Sequence, residues 1–387
     1  MNPREIRRYL LDVHNHKRVR PLLEAGAISY ANWWKEDPEQ AWFTRFIRHH
    51  FPQYVAGKDS RLGAGLRPIR FYSVFGPRSV LQESFDGVKI FFTGENLEDY
   101  RRDGLVRSEG AVRALDTRRS WYADYGSGDV QISMGFAADR ETPVPAGDTP
   151  ASGPDRQDGR GIPPTQEDDS LSGHSAGYLR FPLWILRYFE PEDGPEEIRT
   201  RVRAINEAGE RRCAEDGALL RTHGIACISS HDMFGTKAAV CDRLEAAGLE
   251  IQYPGRWRHN TDTLKTQFDD DKDAYLRSVR FNVCPENSDT KDYVTEKLFD
   301  AFAAGVLPIY LGSQNDPEPG LINREAVIFW DCGGDNAEAI DMIRKLEEDD
   351  AACAAFLEQP KLTPATADYV ADRMCKLRTL LERELER

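Results

Sequence analysis

The sequence lacks any apolar run long enough to cross a membrane, and its start has none suited to a signal peptide. It has no CxxC pair, and its seven scattered cysteines argue against a full set of disulfides and against a zinc site. Basic residues are not in excess, since 51 Lys and Arg stand against 65 Asp and Glu. A net charge of −14 makes general binding of nucleic acid improbable on physical grounds. We therefore expect a cytoplasmic protein that does not bind nucleic acid.

The length and the strand pattern predict two α/β domains. A chain of 387 residues exceeds the size at which one core usually stops growing. The segments IRFYSVF (69–75) and VKIFFTG (88–94) are rich in β-branched and aromatic residues, as buried strands are. Strands alternate with helical patterns in both halves, which predicts parallel sheets. Residues 139–176 are rich in Pro, Gly, Asp and Ser, and we interpret them as a disordered insertion.

The C-terminal segment, 346–387, has the periodicity of helices. It carries an apolar stripe that could contact a membrane or a partner protein, so a peripheral position at the inner membrane stays open. Such a stripe more often packs on its own domain, and we favour that reading. The stripe consists of Val370, Met374, Leu377, Leu381 and Leu385.

A polar loop, PENSDTKD (285–292), lies between a predicted strand and a predicted helix over 292–305. In an open α/β sheet, ligands bind at the carboxyl ends of strands, where helix N-termini attract anions. Lys297 could pair with a phosphate, and Glu296 could accept hydrogen bonds from sugar hydroxyls. Tyr293 offers an aromatic ring to the same ligand. This pattern is typical of a nucleotide-sugar site, although an ordinary solvated Glu–Lys pair would have the same spacing.

The run ENSDTKDYVTEKLFDAFAAGVLPIYLG (286–312) resembles the donor-site signature of the α1,3/α1,4-fucosyltransferase family. KIFFTGEN (89–96) resembles a motif of that family's first domain, and NWW (32–34) resembles a segment near the start of bacterial members. The resemblance extends over about 28–345, apart from the insertion. A bacterial member of this family is the expectation that follows.

The resemblance implies a GT-B fold, in which two Rossmann-like domains face each other across a cleft. Residues 1–190 would bind the acceptor, residues 191–345 would bind GDP-fucose, and the helices of 346–387 would follow. It also implies inverting transfer of L-fucose to a hydroxyl of a glycan, in α1,3 or α1,4 linkage to a GlcNAc-containing saccharide. The acceptor would be an oligosaccharide or a precursor of lipopolysaccharide or polysaccharide. No tightly bound cofactor and no divalent metal would be needed.

The same resemblance assigns roles to individual residues. The general base of the family corresponds to Glu95, which could instead be a loop carboxylate that caps a helix. Trp33 and Trp34 could stack on an acceptor sugar, although paired tryptophans more often belong to a core. The donor would be bound by Lys237, Asn287, Ser288, Tyr293, Glu296 and Lys297.

One departure from the family concerns the diphosphate. Family members usually carry an arginine where this chain has Lys237, and lysine keeps the charge but loses the bidentate fork. Arg243, Arg256 or Arg258 could supply that charge instead. Arg180 is either a structural ion-pair partner or a contact between domains, and we assign it no chemistry.

Three other functions stay open. The chain could transfer a different GDP-linked sugar such as mannose, bind a nucleotide sugar without catalysis, or serve as an assembly module. The last reading leaves the donor signature unexplained.

Overall fold

The computed structural model describes residues 19–55, 66–97, 121–144, 177–216, 224–232 and 234–387. Within these ranges the chain forms two separate sheets with helices around them. The predicted insertion is described only up to residue 144, and its remainder lies outside the described residues.

The first sheet has six strands in chain order, and every neighbouring pair except the first is parallel. Aromatic side chains pack on both faces of this sheet, since Phe71 and Phe92 belong to one buried cluster and Tyr72 and Phe91 to another. The strands are β1 (Leu23–Ala25), β2 (Ile28–Ala31), β3 (Ile69–Tyr72), β4 (Val88–Phe92), β5 (Ile132–Gly135) and β6 (Gly177–Arg180). The helices of this part are α1 (Trp42–His50), α2 (Ser79–Gln82) and α3 (Leu183–Tyr188).

The second sheet has five parallel strands in the order β11-β10-β9-β7-β8. The chain runs outward from β7 to β8 and then returns to the other side of β7 with β9. This reversal is the topological switch point at which open α/β sheets bind ligands. The strands are β7 (Ile225–Ala226), β8 (Ile251–Gln252), β9 (Phe281–Val283), β10 (Leu307–Tyr310) and β11 (Ile328–Phe329).

Nine described helices belong to the rest of the chain. They are α4 (Pro195–Asn206), α5 (Ala208–Asp216), α6 (Thr236–Ala246), α7 (Thr263–Phe268), α8 (Lys272–Leu276), α9 (Lys297–Ala304), α10 (Ala337–Glu348), α11 (Asp350–Leu357) and α12 (Ala365–Leu385). The prediction of a helix over 292–305 was wrong at its start, because α9 begins at Lys297. Asp292 has a φ of +62°, which a helix cannot include. The helix ends as predicted at Gly305, whose φ is +64°.

The apolar stripe of the C-terminal helix is covered by the protein itself. Four of its five predicted members are buried in the core of the first sheet, and Leu385 is partly buried there. Arg373 of the same helix contacts the Glu141 carboxylate with Nη1 at 2.5 Å. α12 therefore returns to the first sheet after the second is complete. The stripe is packed inside the protein, as expected, but against the first sheet rather than within the C-terminal part of the chain. None of the described helices has the length and apolarity that a membrane crossing needs.

The predicted α/β class with parallel sheets and C-terminal helices is confirmed. The predicted domain boundaries at residues 190 and 345 stay predictions.

Candidate functional site

A cavity of about 880 Å³ lies at the carboxyl ends of β7, β8 and β9, where the switch point predicts a ligand site. Its volume falls within the range of about 300–1,000 Å³ that is usual for small-molecule sites. The loop 227–231 follows β7, the loop 254–259 follows β8, and the loop 284–287 follows β9. Gly255 permits two of these loops to touch, since a Cβ there would lie 2.2 Å from the Ser229 carbonyl oxygen.

Two lysines from different elements line this cavity. Lys237 comes from the first turn of α6, and Lys297 is the first residue of α9. The Lys237 Nζ lies 3.4 Å from the Asn287 side-chain oxygen. Burial lowers the pKa of Lys237, and the charge of Lys297 lowers it further. Two cations that line one cavity, each beside a helix N-terminus, favour an anion between them.

Glu286 anchors the second lysine, and it was not among the predicted site residues. Its fully buried carboxylate accepts hydrogen bonds from the Thr295 N–H at 2.8 Å and hydroxyl at 2.7 Å. It also accepts one from the Lys297 Nζ at 3.0 Å. Gly312 leaves the space that this carboxylate needs, because a Cβ there would lie 2.7 Å from the Glu286 Cγ. Its signal in the sequence was the first letter of the ENS motif.

The charge of Lys297 is secured by these neighbours. Burial alone would lower the pKa of Lys297, but the carboxylates of Glu286 and Glu296 outweigh it and raise that pKa. In return Lys297 lowers the pKa of Glu296 against the effect of burial. The Lys297 side chain keeps 21% of its surface exposed. Both charges are thus present at neutral pH, and both residues line the cavity.

The structure separates the three arginines that could replace the family arginine. Arg256 lines the cavity. Arg258 is turned away to Glu245 at 3.1 Å and to Asp242. Arg243 donates to the Gly334 carbonyl oxygen. Of Lys237 and these three arginines, Lys237 and Arg256 are therefore the two that line the cavity.

The other predicted donor residues lie beside the cavity but outside its lining. Ser288 is buried, and its hydroxyl accepts a hydrogen bond from the Asn96 side-chain nitrogen at 2.6 Å. Tyr293 packs edge-on against Phe136 with ring centroids 5.0 Å apart. Burial raises the pKa of Tyr293, and the charge of nearby Glu95 adds to that rise. Direct contacts of Ser288 and Tyr293 with a donor stay predictions.

Glu95 lies where the first sheet meets the loop after β9. It follows the carboxyl end of β4, and its own N–H donates to the Thr93 hydroxyl at 3.0 Å. Its side chain is half-buried, and its neighbour Asn96 bonds across to the second half of the chain. The two sheets thus bring the predicted base beside the predicted donor loop.

A second cavity of about 480 Å³ lies on the first half of the chain and shares Glu296 with the larger one. Trp34 lines it and stacks on Trp33 with ring centroids 4.1 Å apart. Trp33 itself is 2% exposed and packs in the aromatic core, which is the alternative considered for the tryptophan pair. Its indole N–H donates to the carboxylate of Glu36, which also lines this cavity. Burial raises the pKa of Glu36.

Among the described residues, no group of three His, Cys, Asp or Glu side chains could hold a metal ion. Independence of metal stays a prediction.

Comparison with known families decides what the second half of the chain is. Residues 221–386 match the model of glycosyltransferase family 10 (fucosyltransferase), C-terminal part. This range contains the larger cavity with both lysines. The resemblance drawn from the donor signature is thereby confirmed.

Curated relatives match shorter parts of the chain. GDP-fucose protein O-fucosyltransferase 3 of Mus musculus is 30% identical over 118 residues, which are 29% of this chain and 24% of that protein. Alpha-(1,3)-fucosyltransferase FucT of Helicobacter pylori is 45% identical over 42 residues, which are 11% of this chain and 9% of that protein. The chain thus spans a quarter or less of the length of these relatives.

The fold of the whole chain has a counterpart among solved structures. A crystal structure of an α1,3-fucosyltransferase with GDP superposes with a TM-score of 0.51. The match covers 97% of this chain and 96% of that chain at 17% sequence identity. The two-sheet GT-B architecture around the family 10 domain is therefore shared, and the predicted fold is confirmed.

Proposed function

We propose that this protein transfers L-fucose from GDP-fucose to a hydroxyl of an acceptor glycan, with inversion at the anomeric carbon. The observation that carries the proposal is the pair Lys237 and Lys297 at the switch-point cavity of a family 10 domain. Two ammonium groups and two helix N-termini at one cavity suit a diphosphate better than other ligand groups.

On the donor side, the leaving group develops the charge of a nucleoside diphosphate. Lys297 and Lys237 neutralise that charge, and the adjoining N–H groups of α9 assist. Glu286 keeps Lys297 protonated and fixes its direction. Glu296 lines both cavities, so it is suited to accept hydrogen bonds from hydroxyls of the sugar that lies between them.

On the acceptor side, Glu95 takes the proton of the attacking hydroxyl while the new bond to the anomeric carbon forms and the bond to the phosphate oxygen breaks. Its position next to Asn96, which donates to Ser288 across the junction of the two halves, supports this role. The smaller cavity supplies an aromatic ring, Trp34, and a hydrogen-bond acceptor, Glu36, for a sugar ring. We propose it as the acceptor site.

The acceptor and the linkage belong to the proposal as well. The 45% identity with a bacterial α-(1,3)-fucosyltransferase over 42 residues supports an α1,3 linkage to a GlcNAc-containing saccharide. The match with an animal protein O-fucosyltransferase makes a polypeptide hydroxyl the second acceptor class.

The test is an assay of GDP release and product formation with GDP-fucose. N-acetyllactosamine and an unfolded protein serve as probes of the two acceptor classes, with and without EDTA. We expect a fucosylated disaccharide, with a rate that EDTA leaves unchanged. Turnover of GDP-mannose but not of GDP-fucose would show that mannose, and not fucose, is the transferred sugar. No turnover of either donor with any acceptor would contradict the proposal. Product on the unfolded protein alone would change the acceptor class.

A further inference from the structure

The loop between β9 and α9, residues 284–296, carries the first part of the donor signature but is held partly by the first half of the chain. Asn96 follows the predicted base and reaches across the junction of the two sheets. Its side-chain nitrogen donates to the Ser288 hydroxyl at 2.6 Å and to the Thr290 hydroxyl at 2.8 Å. Both donors of one amide group are thus used to hold this loop.

A second attachment of the same loop lies at Asp292. Asp292 has a φ of +62°, a left-handed conformation that costs free energy in a residue other than glycine. Its backbone carbonyl oxygen lies 3.3 Å from the Arg180 Nη2 that donates to it. Its carboxylate accepts a hydrogen bond from the Ala138 N–H, also at 3.3 Å. The strained residue is therefore stabilised through both its backbone and its side chain.

Arg180 joins Asp292 to three other parts of the molecule. The Nε donates to the Phe136 carbonyl oxygen at 2.8 Å. The two terminal nitrogens donate hydrogen bonds to the Glu318 carboxylate at 2.9 and 3.0 Å. Nη1 also donates to the Tyr369 hydroxyl, and Nη2 donates to Asp292. All five N–H donors of the guanidinium are thus used, which a lysine could not reproduce.

Glu318 is equally fixed. It is 2% exposed, and its Oε1 also accepts a hydrogen bond from the Trp184 indole at 2.7 Å. It lies in the loop after β10 of the second sheet, whereas Arg180 ends β6 of the first. The buried ion pair therefore spans the two sheets next to the donor loop. The contact between domains was one of the two readings of Arg180 in the sequence.

We propose that Arg180 is a positioning residue for the donor site. It sets the shape of the 284–296 loop, and through that loop the positions of Asn287 and Lys297, without touching the ligand. Arg180 lines neither cavity described above. The inference rests on the proposed function, and it makes the affinity for the donor depend on the first half of the chain.

The test is the dissociation constant for GDP, measured by calorimetry on the full chain with Arg180→Lys. We expect it to rise roughly tenfold, as couplings through such networks typically allow. Arg280→Lys is the matched control. Arg280 is fully buried, donates to the carbonyl oxygens of Leu346 and Glu347 at 3.0 and 2.8 Å, and lies at the opposite end of β9. Its replacement should leave the GDP affinity of the folded protein within about twofold.

Asn96→Ala provides a second variant in case Arg180→Lys does not fold, because Asn96 is only half-buried. It releases the loop at Ser288 and Thr290, and we expect a loss of GDP affinity of several-fold, on the order of a lost hydrogen-bond pair. Unchanged GDP affinity in the folded Asn96→Ala protein, or in folded Arg180→Lys, would overturn the inference while leaving the proposed function intact. Failure of the unaltered protein to bind GDP would overturn both.

Discussion

The two sheets differ in how their carboxyl ends are used. In the second sheet, the loops after β7, β8 and β9 meet around one cavity that holds Lys237 and Lys297. In the first sheet, the corresponding ends carry aromatic side chains and the half-buried carboxylates of Glu36 and Glu95. The family match covers the second sheet and α12 but not the first sheet.

The ligands of the proposed reaction account for this difference. A nucleoside diphosphate presents negative charges, which cations and helix N-termini suit, and the larger cavity carries Lys237 and Lys297. An acceptor sugar offers hydroxyls and an apolar ring face. The cavity on the first half carries aromatic and apolar side chains, among them Trp34, Phe43 and Leu186. If this division is right, variants of the two halves should affect different kinetic constants.

The largest effect is expected for Glu95→Gln, which removes the proton acceptor but keeps the shape. Turnover should fall roughly a hundredfold or more, the usual contribution of a general base, while the GDP dissociation constant stays within about twofold. Steady-state kinetics and calorimetry measure the two quantities. Glu83→Gln, at an exposed position of the same half, is the control. An unchanged rate would remove Glu95 as the base.

Lys297→Ala should raise the dissociation constant for GDP. The loss of a charge-assisted contact of about 1.5–3 kcal/mol weakens GDP binding roughly 10- to 100-fold. Lys291→Ala removes an exposed lysine from the same loop and should change nothing. Since Glu286 loses its buried partner, circular dichroism must show that the variant is folded. Equal GDP affinity in the folded Lys297 variant would show that this lysine does not contact the phosphates.

A smaller effect is expected for Trp34→Ala. Loss of one stacking ring, worth about 0.5–1.5 kcal/mol, should raise the KM for the acceptor roughly two- to tenfold and leave the GDP dissociation constant unchanged. Weaker GDP binding instead would assign the smaller cavity to the donor. It would contradict the division into a donor-binding second half and an acceptor-binding first half.

The smallest effect concerns pH. Because burial and Lys297 lower the pKa of Lys237, this lysine loses its charge at a pH below its ordinary value of 10.5. The bound diphosphate favours the charged form, so GDP affinity should fall as the pH rises through the lowered pKa. Lys237→Arg keeps its charge over the same range and should remove this part of the decline. A decline that is identical in both proteins would assign it to another group.

Much of the architecture could be predicted from the sequence. The alternation of apolar segments indicated the strands at 69–75 and 88–94, and Gly305 marked the end of α9. The donor signature indicated Asn287 and Lys297, and the family resemblance of an earlier helix indicated Lys237; the structure brings the three together. Local patterns were sufficient here because each of these features is set by neighbours in the chain.

The remainder depends on contacts between distant residues. The predicted start of α9 was five residues too early, because Glu286 holds Thr295 in a turn ahead of the helix. The pairing of Arg180 with Glu318 joins positions 138 residues apart, which no local pattern could have indicated. Glu36 received no role for the same reason, since its cavity forms only when α3 packs beside it.

The most direct test of the donor site is a calorimetric titration of the full chain with GDP, GDP-fucose, GDP-mannose and UDP-galactose. We expect binding of GDP and GDP-fucose without added metal, and at a hundredfold excess over the dissociation constant a stabilisation of about 2.7 kcal/mol. Binding of GDP-mannose alone would support the nucleotide-sugar site but would change the proposed donor sugar to mannose. Absence of binding by all four ligands would contradict the assignment of the cavity between Lys237 and Lys297 to a nucleotide sugar.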